Sequence, residues 1–305
     1  MKSTILILLS IMTLISCSDF SLRSRKKENR SQYPPSQMFK GEELLAAQKM
    51  FDGDINGMEE MIKNKHIALD KLQEETGYTL LMYASIIEDL QAMRKLLEMG
   101  ADPNIVIPDE GFSTPLNHAV ALNNYEMLEL IFSYGANPNP ALGDSPMISA
   151  MMLGGGKNTE RKMIDYLLEH GANINNQSYG GNNIMETATR DNLDLANYLL
   201  EKGGTPIIPG TNLCPMAEYI EFAEEKQRKH QKTETPYFKK LSDIKKLLIE
   251  KYQVQFPVKK DPKAKTELRI KLYEKLDAKD KISVNFNNNY GERSYKDNLE
   301  SLKKE

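Results

Sequence analysis

The sequence predicts an all-α chain of helical hairpins piled into a solenoid, and three observations carry that reading. A motif returns along the 305 residues, with closing glycines at 100, 135, 171 and 203, spaced by 35, 36 and 32 residues. A fixed spacing in this range marks repeats that each form one supersecondary unit and bury their apolar faces against their neighbours. Each glycine is preceded by an apolar pair: Leu96-Leu97, Ile131-Phe132, Leu167-Leu168 and Leu199-Leu200. Hydrophobic residues make up only 40% of the chain and Trp is absent, which disfavours one thick globular core.

The elements follow in order. Gly41–Phe51 and Ile55–Lys63, joined by Asp52-Gly53-Asp54, read as an N-terminal helix pair. Four regular copies come next, their heads at Gly77-Tyr78-Thr79-Leu80, Phe112-Ser113-Thr114-Pro115-Leu116, Gly143-Asp144-Ser145-Pro146-Met147, and Gly180 through Ile184. Thr or Ser followed by Pro opens the first helix as cap and first helical residue. Ala84, Ala119, Ala150 and Ala188 are small enough to let neighbouring helices approach, and each closing Gly supplies the left-handed backbone that stops the second helix. The Asn, Asp, Pro and Gly residues that follow project as turns, or fingers. A sixth pair runs from Leu213-Cys214-Pro215 to about His230 and from Pro236 to Tyr252, and end repeats are expected to be irregular because one side faces water. Beyond Phe256, Leu268, Leu272 and Leu276 predict a helix over Thr266–Ala278 that covers the exposed end of the stack. Lys281–Phe286 reads as a strand, and Asn285 to Asn289 and the charged end as disordered.

Thr-Pro-Leu at the head and Leu-Leu-x-x-Gly-Ala-x-x-Asn at the tail, with a period near 33, resemble the ankyrin repeat over about two thirds of the chain. The resemblance implies a solenoid of about six helix-turn-helix repeats over residues 41–256, with a less regular extension over 257–305. It also implies a protein-binding role without catalysis.

The N-terminus carries a separate signal. Lys2 is followed by an almost wholly aliphatic run from Ile5 to Ile15, too short for the roughly 20 apolar residues that span a bilayer. It fits the apolar region of an export signal. Leu14-Ile15-Ser16-Cys17 is similar to a bacterial lipobox, which implies cleavage after residue 16 and acylation of Cys17. Ser18 rather than Asp after that Cys points, by the family's sorting rule, to the periplasmic leaflet of the outer membrane. Residues 17–40 then read as a lipidated Cys and flexible linker, whose roughly 23 residues span about 25–30 Å. With Cys17 lipidated, Cys214 is the remaining thiol, read as a buried small hydrophobe, and no internal disulfide forms.

Charge is segregated: residues 18–30 sum to +3, 31–257 to −11 and 258–305 to +4. An acidic middle argues against nucleic acid as a partner, which requires a basic face. The basic cluster after Cys17 is either an attraction to anionic lipid, worth about 1 kcal/mol per Lys or Arg, or a solvated linker.

No catalytic or cofactor motif stands out. His66, His118, His170 and His230 are scattered without metal-ligand spacing, and no Gly-x-Ser-x-Gly elbow occurs. Gly154-Gly155-Gly156-Lys157-Asn158 lacks the Gly five positions before Gly156 and the hydroxyl after the Lys that a phosphate loop needs, so it reads as a loop inserted between two repeat helices.

In ankyrin proteins partners lie along the groove formed by first helices and fingers. Carried over by position, the partner-binding set is Tyr83, Ile87, Asp109, Glu110, Phe112, His118, Leu122, Asp144, Leu153, Tyr179, Glu186 and Arg190. Apolar groups rimmed by charge suit a protein interface, although Ile87 and Leu153 equally fit packing against the next repeat, and His118 a solvated face. Together, anchor and repeats resemble periplasmic immunity proteins that neutralise toxic secreted effectors such as phospholipases. An envelope scaffold holding a resident periplasmic protein is the alternative.

Overall fold

The computed structural model describes residues 28–108, 113–153, 157–285 and 291–304, and among these the regular structure is helical apart from two isolated β-bridges. The chain divides into two compact units at Asp102/Pro103.

The first unit holds two helix pairs, α1 (Gly41–Phe51) with α2 (Ile55–Lys65) and α3 (Leu80–Ile86) with α4 (Leu90–Glu98). Asp54, Thr79 and Asp89 cap α2, α3 and α4 by accepting from the backbone N–H of Gly57, Met82 and Ala92, the residue types that satisfy a helix's first free donors. Ala46, Ala47, Ala84 and Ala92 are fully buried, and Met50, Met58, Met93 and Leu96 fill the space between the pairs. Where later repeats use Gly, α2 ends on His66 in the left-handed conformation (φ 54°).

Residues 28–40 depart from the flexible linker expected of them. They are helical over 28–32, make one turn at Pro35–Met38, and bury Met38 and Phe39.

The second unit continues with α5 (Pro115–Ala121) and α6 (Tyr125–Ser133), α7 (Pro146–Met151) and α8 (Lys157–Glu169), α9 (Ile184–Asp191) and α10 (Leu193–Glu201), and α11 (Pro215–Lys229) and α12 (Pro236–Tyr252). Thr114 and Asn117 form a reciprocal capping box at α5, while Asn124, Ser145, Asn183, Asn192 and Thr235 cap later helices. Ala119, Ala150, Ala188 and Ala217 are buried where first helices meet, alongside Met127, Met147, Met163 and Met216. The closing Gly100, Gly135, Gly171 and Gly203 have φ between 83° and 101°, and an added Cβ would meet nothing within 4 Å. Glycine is required there by torsion, not by crowding. Cys214 is a free, buried thiol, and burial pushes its pKa up to about 11. The Gly154–Gly156 insertion lies outside the described residues.

The extension is more ordered than its sequence suggests: α13 (Pro262–Glu274), α14 (Ala278–Asn285) and α15 (Glu292–Lys304). The strand expected at 281–286 is a correction, because Asp277 accepts from the N–H of Asp280 (2.9 Å) and starts a helix there. The charged end, expected to be disordered, is α15; residues 286–290 lie outside the described ones.

Candidate protein-binding surface

The fingers of the second unit are built by one repeated device. Asn104 accepts from the N–H of Asn137 (2.7 Å) and donates to the Gly135 carbonyl (3.1 Å). Asn139 does the same with Asn173 (2.7 Å) and Gly171 (2.8 Å), and Asn175 with Thr205 (2.7 Å) and Gly203 (3.2 Å). A side-chain amide is needed because each staple uses a donor and an acceptor at once. In the first unit Asp70 supplies only the acceptor half, to Asp102 N–H (2.9 Å). These finger residues therefore set the spacing between repeats.

Two fingers are also zipped together. Tyr179 N–H donates to the Ala141 carbonyl (2.8 Å) and Gly143 N–H to the Tyr179 carbonyl (2.9 Å), with Ser178 Oγ on Gly143 O at 2.6 Å. Asp144, expected to face a partner, spends its carboxylate on the backbone and side-chain N–H of Asn182 (2.6 and 3.1 Å), and its carbonyl accepts from Asn117 (2.9 Å).

The apolar side of this finger row is covered by the chain's own extension. Val106 (3% exposed), Leu142 (0%) and Tyr179 (2%) form one cluster with Tyr273 (6%), Leu276 (3%) and Val284 (0%), flanked by Leu272 and Tyr295. Tyr273 meets Tyr179 edge to face (centroids 5.3 Å) and stacks on Tyr295 (4.4 Å). Lys265 pairs with Glu218 of α11 at 2.7 Å, and Val258 N–H donates to Glu221 (3.2 Å). Burying Tyr273, Leu276 and Val284 contributes roughly 1.5–3 kcal/mol each. The helix expected to cover the stack's open end thus lies against the fingers. Beside it remains a cleft of about 390 Å³, lined by Tyr179, Glu186, Ile208, Leu213, Leu268 and Arg269 among others.

In the first unit residues 28–40 act as a second cover. Tyr83 is fully buried, donates its hydroxyl to the Tyr33 carbonyl (2.9 Å) and packs edge-on against Phe39 (5.2 Å); burial pushes its phenol pKa up. Asn29 donates to Ile86 O (3.1 Å) and to Glu88 (3.2 Å), and Arg30 pairs with Asp89 (3.0 Å), donates to the Phe51 carbonyl and lies over the Phe51 ring.

The twelve residues of the sequence-derived set therefore separate. Tyr83, Ile87, Leu153 and Tyr179 are buried, the first and last under chain ends whose weak periodicity concealed them as covers. His118, Leu122, Asp144 and Glu186 are half-buried and Arg190 is exposed, its guanidinium on Asp191 (3.1 Å). Asp109, Glu110, Phe112 and Cys17 lie outside the described residues. Sequence reasoning missed an aromatic run on the second helices: Tyr125, Tyr166, His170 and Phe132 are in ring contact in series (centroids 4.2–6.1 Å), with Phe132 stacked on His170 and Tyr166 bonded to Glu129 at 2.7 Å. It also missed Glu224, a buried carboxylate held by Lys245 (2.7 Å) and Arg228 (3.4 Å). Among the described residues no group of three His, Cys, Asp or Glu converges as a metal site would require.

Comparison with known proteins matches residues 44–141 to the ankyrin repeats family, in three copies. The ankyrin repeat protein FPV240 of fowlpox virus (strain NVSL) is 30% identical over 131 residues, which is 42% of this chain and 30% of that protein. The human transient receptor potential cation channel subfamily A member 1 is 28% identical over 160 residues, 52% of this chain and 14% of the channel. The matched stretch spans less than a third of either relative. The chain carries ankyrin repeats in an all-α fold, an architecture that binds other proteins.

Proposed function

We propose that this chain is a lipid-anchored, periplasm-facing protein-binding module that neutralises a toxic secreted effector, such as a phospholipase, by covering it. The observation that carries the reading is the conjunction of ankyrin repeats over 44–141 with Leu14-Ile15-Ser16-Cys17 at the head of the chain. Ankyrin repeats hold proteins, and acylation of Cys17 holds the repeats at a lipid surface. A lipid-degrading toxin must act at that same surface. No helix among the described residues is long and apolar enough to cross a membrane. Binding alone suffices for neutralisation, because a partner whose active site or lipid-docking face is blocked needs no chemical inactivation.

The test is co-culture of a deletion strain with its parent. The deletion strain is expected to be killed on contact, to be rescued by the wild-type gene, and to be rescued less well by Cys17→Ala, which also leaves the membrane fraction. Equal survival of deletion strain and parent overturns the immunity reading in favour of an envelope scaffold. Unchanged membrane partition of Cys17→Ala overturns the anchor.

A further inference from the structure

We infer that the finger row of the second unit is a receptor for a basic amphipathic helix, and that α13 and α14 are its resident occupant. The placement argues for this from both sides. The receptor side is apolar at Val106, Leu142 and Tyr179, and these belong to fingers already fixed by their own asparagine staples and by the Tyr179–Ala141–Gly143 bonds. The fingers therefore keep their shape without help from the occupant. The occupant side is a helix with Leu268, Leu272, Tyr273 and Leu276 at helical spacing, and the segment from 258 onward carries +4 against −5 for residues 103–257, the rest of the second unit. Beside the row, Lys265 pairs with Glu218 and Val258 N–H donates to Glu221, both on α11.

The helix also fills the row incompletely, since the 390 Å³ cleft along α13 leaves Glu186, Leu268 and Arg269 on its walls. An incoming helix of the same chemistry, with leucine or tyrosine on one face and lysine on the other, has both a foothold and a surface to inherit. This deepens the proposed function by assigning the partner's chemistry and the step that admits it, and it rests on the fingers being the binding face.

The experiment uses the full chain and a fluorescent peptide of residues 262–285. A Tyr273→Asp/Leu276→Asp variant puts two carboxylates into the cluster and frees the row. It is expected to bind the peptide at least tenfold more tightly than the wild-type chain, while hydrogen exchange in α5 to α10 stays as slow as before. Adding Leu142→Asp on the receptor side, or reversing Lys265, Lys271 and Lys275 of the peptide to Glu, is expected to abolish binding. Equal binding by the two chains, binding by neither, or binding that survives Leu142→Asp or the charge reversal overturns the inference. So does faster exchange throughout α5 to α10, which would make the extension an inseparable part of the repeat core. No effector is needed, so failure here is distinct from failure of the co-culture test.

Discussion

The two chain ends solve the same problem with a different balance of chemistry. Residues 28–40 lie on the first unit through the buried Met38 and Phe39 and through directional polar bonds: Asn29 on a backbone carbonyl and on Glu88, Arg30 on Asp89 and Phe51, and the Tyr83 hydroxyl on Tyr33. The C-terminal helices lie on the fingers of the second unit through stacked rings and aliphatic groups, with Lys265–Glu218 at the margin. Directional bonds to backbone atoms fix one register and weaken with lost geometry. An apolar cluster tolerates sliding and exchange of one helix for another. The difference assigns the first cover to structure and the second to replaceable occupancy.

The comparison breaks most readily at Leu276. Leu276→Ala leaves a hole in a cluster of six buried residues and is expected to cost about 3 kcal/mol of protection at 141–144 and 178–180, read by hydrogen exchange. No change there would mean the cluster does not hold the cover. Arg30→Ala removes an ion pair, a carbonyl bond and a ring contact together, and is expected to cost the first unit about 1–2 kcal/mol. Because one of those ties is an ion pair between partly exposed groups, the loss should shrink at 1 M salt, where the Debye length falls to about 3 Å. Protection of the C-terminal cluster should be unaffected over the same range. Tyr83→Phe deletes one buried donor and is expected to cost about 1 kcal/mol, measured by denaturant unfolding.

A control lies within the repeats, outside both covers, and is confined to alkaline pH. The Cys214 thiol, raised to about 11, contributes stability that is whole below the ordinary thiol value of about 8.5 and is lost as pH rises toward 11. Cys214→Ala should flatten that alkaline decline. A slope unchanged by the substitution would show that Cys214 has no part in it.

Much of the repeat architecture was legible because it is periodic. Leu-Leu-x-x-Gly tails and Thr/Ser-Pro heads place α3 to α10, and Pro236–Tyr252 coincides with α12. The finger asparagines were readable as turn residues, but their cross-repeat staples were not, since the partner N–H groups lie some 30 residues away. The chain ends were misread for a different reason. Arg30 and Asn29 act on backbone carbonyls, which leave no side-chain pattern in the sequence. Ile282, Val284 and Phe286 alternate like a strand, and a single Asp277 cap overrides them. Tyr83 and Ile87 are buried because periodicity marks the inward and groove-facing sides of a first helix alike and shows only which side is apolar, not what lies on it, while Tyr179, on a finger, is covered by the C-terminal helices.

The central claim, that the chain's own C-terminal helices sit on its finger row, is tested most directly by a photo-cross-linking residue at Tyr273. Replacing Tyr273 with benzoylphenylalanine and irradiating the full chain is predicted to yield an intramolecular link to a peptide containing Leu142 or Tyr179. A link confined to α11 and α12, or one formed only between separate copies of the chain, would contradict it.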